Sequence, residues 1–259
     1  MTNTINLEYS IAGPDHGEAI LLVHGAGASI LQFQQQRAFF SDRYRVVLVS
    51  LRGHGDSPKP SPNTTRKYAL TLLAADIIQL IEDLQLDRIH YVGNSAGGVL
   101  GYLVVSKVPE KFLSLTTFGT TGQMEFPKFL APVFRGIDAF MLRFFKNWYL
   151  KLMVSHTVTH EASKDIFFQM FEKAVPAIPH FRYNLVNYDF TRFIAQCPVP
   201  YTLIKCEFDK GINRMLASTL HAIQSNQLAK VVDLKGVGHV ANLDDPAAFN
   251  DCLRDILKN

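Results

Sequence analysis

Arg88-Ile89-His90-Tyr91-Val92-Gly93-Asn94-Ser95-Ala96-Gly97-Gly98 is the stretch that decides the fold. Its first five residues form a short apolar run of the kind that fills a buried strand. Gly93 stops the run, and residues 97–105 read as a helix. Between strand and helix lies Gly-x-Ser-x-Gly at 93–97. That pattern arises by chance in about one chain of this length in ten, so its context carries the argument. A strand-to-helix turn this tight drives its central residue into a strained backbone conformation. The flanking positions must lack side chains for the two segments to approach. Such a turn lifts the Ser95 hydroxyl to the C-terminal edge of a sheet, beside a helix N-terminus. A phosphate-binding turn is the competing reading. The stretch lacks the Lys and the spacing of a P-loop, and GNSAGG is not GxGxxG.

The same rhythm extends in both directions. Apolar runs at 19–23, 45–49, 113–118, 200–204 and 230–234 predict further strands, several of them stopped by glycine. Runs that are apolar on both faces suit a parallel sheet buried between helices. Residues 5–12 alternate and read as an antiparallel edge strand. Residues 70–84 carry a helical stripe at Leu73, Ile77, Leu80, Ile81 and Leu84, and residues 215–223 and 247–257 are similar. Strand and helix in alternation predict an α/β fold, a mostly parallel twisted sheet flanked by helices.

One region breaks the rhythm. Residues 123–190 show no convincing strand, yet hold 11 of the 19 phenylalanines, 4 of the 6 methionines and the single tryptophan, Trp148. The pieces 134–154, 161–175 and 181–187 read as helices, separated by Pro176 and Pro179. The expected organisation is a core of residues 1–122 and 191–259 with a helical cap, or lid, at 123–190. Its phenylalanines and methionines either line an apolar ligand pocket or form the cap's own core.

A serine hydroxyl becomes a nucleophile only beside a base, and the base needs an orienting group. Of nine histidines, His239 sits in a Gly-rich loop, Gly236-Val237-Gly238-His239, after the last strand and at the same sheet edge as Ser95. His90 falls inside a strand and His221 inside a helix. For the orienting carboxylate, Asp209 follows the 200–204 strand and is preferred over Glu207, which strand alternation would point the same way but deeper. His24-Gly25-Ala26-Gly27-Ala28 follows an earlier strand. Its small residues free backbone amides to meet a developing oxyanion, with Ala26 and Ala96 as donors and Gly27 as the alternative first donor. Gly27, Asn94, Met124 and Trp148 are the expected substrate contacts. Arg52-Gly53-His54-Gly55-Asp56-Ser57 reads as a buried turn under the site.

Bulk composition narrows the rest. With 259 residues, 47% of them hydrophobic, and a net charge of +3, the chain can bury one substantial core, and no concentrated basic patch points to nucleic acid. Three cysteines at 197, 206 and 252 match no zinc or redox spacing and are expected to be free thiols. No metal or nucleotide motif is present, so no cofactor is expected. No stretch is long and apolar enough to span a membrane, and no secretory signal opens the chain. The expectation is a cytoplasmic monomer or homodimer.

HGAGAS at 24–29, RGHGDS at 52–57, GNSAGG at 93–98, EFD at 207–209 and GVGH at 236–239 together resemble the α/β-hydrolase superfamily over nearly the whole chain. Cys206 stands where many members carry Gly. The order Ser95, Asp209, His239 is the order of that family's triad. Haloalkane dehalogenases and epoxide hydrolases are similar but use Asp as nucleophile, unlike Ser95. The resemblance implies a serine hydrolase that forms an acyl-enzyme from a small apolar carboxylic ester or lactone, acyl-homoserine lactones included. A C–C bond hydrolase of a vinylogous diketone, or a slow-turnover ligand-binding receptor, remain the alternatives.

Overall fold

A strand that is apolar on both faces has to be covered on both sides, and the sheet is built accordingly. The computed structural model describes residues 4–258. Its strands are β1 (Glu8–Ala12), β2 (Ala19–Val23), β3 (Arg45–Ser50), β4 (Ile89–Asn94), β5 (Phe112–Phe118), β6 (Gln123–Glu125), β7 (Asn187–Asp189), β8 (Tyr201–Cys206) and β9 (Ala229–Leu234). The helices are α1 (Gln34–Phe40), α2 (Leu70–Asp83), α3 (Ala96–Lys107), α4 (Ala131–Phe144), α5 (Lys146–Thr157), α6 (Lys164–Ala174), α7 (Ile178–Tyr183), α8 (Thr191–Ala195), α9 (Lys210–Asn213), α10 (Ala217–Gln224), α11 (Ala241–Asp244) and α12 (Pro246–Leu257).

Seven strands form one sheet in the order β1-β3-β2-β4-β5-β8-β9. All its pairings are parallel except β1 on β3, so the expected edge strand is present as Glu8–Ala12. Alternation sorts the side chains. Leu21, Val23, Val47 and Val49 pack with Leu73 and Ile77 of α2 and Leu100 and Val104 of α3 on one face. Ile20, Leu22, Val46 and Leu48 pack with Phe40 of α1 and Phe249 and Leu253 of α12 on the other.

Residues 123–190 depart from their sequence reading at three points. Their ends pair as a short antiparallel ribbon, Gln123↔Asp189 to Glu125↔Asn187, where no strand was expected. Three-residue strands leave too short a pattern to read. The helix expected over 134–154 is broken into α4 and α5 at Phe145, whose backbone leaves the helical region (φ −132°, ψ 33°). The phenylalanines also divide. Phe167 and Phe171 join Leu142, Leu150, Val154 and Met170 in a separate small core that reaches Ala28 and Val240, whereas Phe129, Phe140, Phe144 and Phe145 are exposed.

In a parallel sheet every strand's carboxyl end lies at the same edge, and ligands gather where the strand order reverses. Here that point is between β2 and β4, paired up to Val23↔Gly93. The RGHGDS loop lies beneath. Arg52 and Asp76 form a buried ion pair, with Nε–Oδ2 and Nη2–Oδ1 both 2.7 Å. His24 Nε2 accepts from the Leu51 amide at 2.9 Å, so its Nδ1–H donates to the Gly25 carbonyl at 2.7 Å. His54 donates from Nδ1 to the Arg52 carbonyl at 3.0 Å. Both imidazoles are fully buried, and burial holds their pKa values down, to about 3 for His24 and about 4 for His54.

Both rings are therefore neutral in the folded chain, while the unfolded chain protonates them near the ordinary value of 6.5. Between that value and the folded values the unfolded state binds more protons, so stability is lost as pH falls. The loss amounts to at most about 1.4 kcal/mol per pH unit per imidazole. Urea unfolding followed at pH 7, 6 and 5 is expected to show a midpoint that is lowest at pH 5. A midpoint unchanged over that range contradicts the burial of neutral histidines.

Candidate active site

Ser95 occupies the turn between β4 and α3 with φ 51° and ψ −116°, a left-handed conformation that costs a non-glycine residue on the order of 1–3 kcal/mol. Its neighbours explain why the turn is nevertheless held. A β-carbon on Gly97 would lie 2.1 Å from the Val23 carbonyl oxygen, and one on Gly93 would lie 2.5 Å from the Gly97 carbonyl oxygen. The Ser95 amide donates to the Phe118 carbonyl of β5 at 2.9 Å, and its own carbonyl accepts from Val99 at 3.1 Å.

Asp209 lies three residues beyond β8, as the N-cap of α9. Its Oδ1 accepts from the Ile212 amide at 3.4 Å and its Oδ2 meets His239 Nδ1 at 2.8 Å. With the carboxylate oxygen as acceptor, His239 donates its Nδ1–H, which in a neutral imidazole leaves the lone pair on Nε2. Glu207 is not deeper than Asp209. It is exposed and accepts from the Gly236 amide at 2.9 Å, because the chain turns away from strand geometry after Cys206.

Ser95 and His239 line one cavity of about 520 Å³ together with Ala26 and Met124. Apolar side chains from residues 123–190 form much of its wall, among them Phe126, Leu152, Met153, Phe171 and Ile178. Among the described residues Arg182 is the one arginine or lysine in the lining. Its Nη1 donates at 2.7 Å to Asp138, which also accepts from Tyr149 Oη at 2.5 Å. Burial pushes the Asp138 carboxyl above its usual range.

The loop after β2 tightens through Ala28 N to Gly25 O at 3.2 Å and Gly25 N to Gln32 Oε1 at 3.4 Å. Among the described residues the amides of Ala26, Gly27 and Ala96 meet no protein acceptor. Of these, Ala26 lines the cavity with Ser95, and Ala96 is the first residue of α3, where helix amides lack an internal partner.

Three expected substrate contacts sit elsewhere. Trp148 is 60% exposed and outside the cavity lining, since its face of α5 points to solvent. Asn94 is buried and faces the protein. Its Oδ1 accepts from Gln32 Nε2 at 2.9 Å, and its Nδ2 donates to the carbonyls of His239 at 2.9 Å and Phe118 at 3.3 Å. Gly27 (φ 85°) makes room for a wall rather than facing the cavity, for a β-carbon there would lie 2.1 Å from the Phe171 ring. Met124 lines the cavity.

Sequence reasoning missed the supports of the His239 loop. Gln32 Nε2 bridges Asn94 Oδ1 and Asn242 Oδ1 (3.0 Å), and Asn242 Nδ2 returns to the Gln32 carbonyl at 2.7 Å. Asp244 accepts from the Gly238 amide at 2.8 Å and from Thr159 and His160 at 3.1 and 3.2 Å, tying the loop to the inserted region. The only sequence signal was a cluster of polar residues, Asn242 to Asp245, in an apolar surrounding.

With this geometry in view, the sequence matches the model of a family described as "Alpha/beta hydrolase family" over residues 20–252. Among curated proteins it is 29% identical over 120 residues to 3-oxoadipate enol-lactonase 2 of Acinetobacter baylyi, covering 46% of this chain and 43% of that one. It is 30% identical over 148 residues to a fluoroacetate dehalogenase of Burkholderia sp, covering 56% and 45%. The chain thus spans less than half the length of these relatives. Among solved structures it superposes on the enol-lactonase of Burkholderia xenovorans with a TM-score of 0.82 at 20% identity, covering 98% and 96% of the two chains, a likeness of fold.

Asn94→Ala removes the donor to the His239 carbonyl and one acceptor of Gln32 Nε2. A buried hydrogen-bonding group left unpaired costs about 1–3 kcal/mol. Urea denaturation is expected to show a loss of that size. A variant as stable as the parent means that this amide supports nothing.

Proposed function

This chain belongs to the alpha/beta hydrolase family, and on that premise we propose that it is a serine hydrolase acting on a small carboxylic ester or lactone with an apolar acyl group. The observation that carries the reading is the 2.8 Å contact of His239 with Asp209, with His239 facing the same cavity as a strained, cavity-lining Ser95.

In this reading Ser95 Oγ attacks the carbonyl carbon as His239 Nε2 takes its proton. The carbonyl π-electrons move to oxygen, and the Ala26 and Ala96 amides bind the resulting oxyanion. Asp209 fixes the tautomer and stabilises the imidazolium. Collapse of the intermediate breaks the bond to the leaving alkoxide, which takes the proton from His239. Water, losing a proton to His239, then attacks the acyl carbon, and collapse of this second intermediate releases the acid as Ser95 Oγ takes that proton back from His239. Residues 123–190 act as the cap and supply the apolar wall, and Met124 contacts the acyl group. The enol-lactonase relative supports the bond type.

Ser95→Ala is expected to lower kcat by about 10⁴–10⁶ with the fold intact, measured on a p-nitrophenyl ester with a melting curve as control. Near-normal turnover refutes the mechanism. Across p-nitrophenyl esters of rising chain length, kcat/KM is expected to peak at medium chains, because each methylene placed in an apolar cavity contributes about 0.8 kcal/mol until the space is full. Activity confined to the acetate contradicts an acyl pocket.

A further inference from the structure

Helix α4 is amphipathic with its apolar side outward. Val133, Ile137, Phe140 and Phe144 follow one another at spacings of four, three and four residues, which aligns them along one face, and all four are exposed. Phe129 precedes the stripe at 75% exposure, and Trp148 follows it on α5. The inward side carries Asp138 and Leu142. A helix in a globular fold normally buries its apolar stripe and exposes its charges. Here the small core of the inserted region is assembled without the stripe.

The exposed rings touch one another. Phe140 lies 5.0 Å from Phe144, and Phe134 lies 6.2 Å from Phe126, between ring centroids. Phe126 also lines the cavity that holds Ser95, so the Phe126–Phe134 ring pair joins α4 to the edge of the site. A contiguous exposed apolar patch marks an interaction surface.

Charge selects the partner. From residue 126 to 151 the chain carries Lys128, Arg135, Arg143, Lys146 and Lys151, and a single acid, Asp138. That acid is buried and bonded to Arg182 and Tyr149, and Lys146 is ion-paired with Glu172 at 2.6 Å, so Lys128, Arg135, Arg143 and Lys151 are the cations that give this stretch its basic excess. A second copy docked across a two-fold axis would set one basic stretch against another, an arrangement that opposes association. An anionic lipid surface complements it, with aromatic side chains at the acyl boundary and lysine and arginine at the headgroups.

We propose that α4 and the start of α5 dock this protein onto an anionic phospholipid surface, with the helix lying in the interface plane. Docked in this way, the exposed stripe is covered and the Phe126 edge of the cavity faces the lipid. The binding is independent of the hydrolytic reading and is measured without turnover.

The full chain and the double variant Ile137→Asp/Phe140→Asp are compared by vesicle flotation. One vesicle population is phosphatidylcholine alone and the other contains phosphatidylglycerol. Trp148 is the only tryptophan, and it reports the same event by its emission. The wild type is expected to partition at least about tenfold more strongly to the phosphatidylglycerol vesicles, with a blue shift of Trp148 and a loss of binding on adding salt. The double variant, folded by its circular dichroism and melting temperature, is expected to lose that partition. Absence of binding to either vesicle overturns the proposal, as does equal binding to both or equal binding by the variant. A dimer in sedimentation that the variant converts to monomer, without vesicle binding, assigns the face to a second copy and overturns it as well.

Discussion

A β-carbon on Gly97 would lie 2.1 Å from the Val23 carbonyl oxygen, so α3 can start beside β2 only because that position carries none. The remaining geometry depends on this approach of backbone to backbone. It brings the first turn of α3 against the loop after β2 and turns Ser95 to φ 51°. It also starts α3 at Ala96, directly after Ser95, while Ala26 lines a cavity together with Ser95 and His239. Strain at a single residue is tolerable when the surrounding packing over-determines it. Here the bond from Ser95 N to Phe118 O and the sheet on both sides of β4 supply that packing.

Positioning of His239 relies on polar groups buried far apart in sequence. Gln32 joins Asn94 to Asn242, whose Nδ2 also donates to Gln36 Oε1 at 3.1 Å, and Gln36 Nε2 reaches Asn250 Oδ1 at 2.9 Å. A buried amide set of this kind specifies one arrangement when its members are satisfied. It joins the stretch after β2, the nucleophile strand, the His239 loop and α12. Asp244 extends the same bracing to Thr159 and His160, so the loop and the inserted region hold one another in place.

The sheet was legible because its strands are apolar on both faces and stop at glycines, a local signal. The pairing of Asp209 with His239 was legible for a related reason: both lie in loops at the carboxyl edge of a parallel sheet. Long-range polar pairs have no such signature, and Gln32 meets Asn242 across 210 residues. Asn94 was read as a substrate contact from its place beside Ser95, yet its side chain points into the protein and holds the His239 carbonyl. Trp148 was an expected substrate contact, and the helix face that carries it points outward. Composition counted the phenylalanines of 123–190 but not their direction, which depends on which side of α4 meets the rest of the fold.

The central claim is that Ser95 is an activated nucleophile held by His239 and Asp209. Labelling with a fluorophosphonate, read by intact mass on the wild type and on Ser95→Ala, tests it most directly. The account predicts one adduct on the wild type and none on the variant. A folded wild type that takes no adduct, or a Ser95→Ala variant that still takes one, contradicts it.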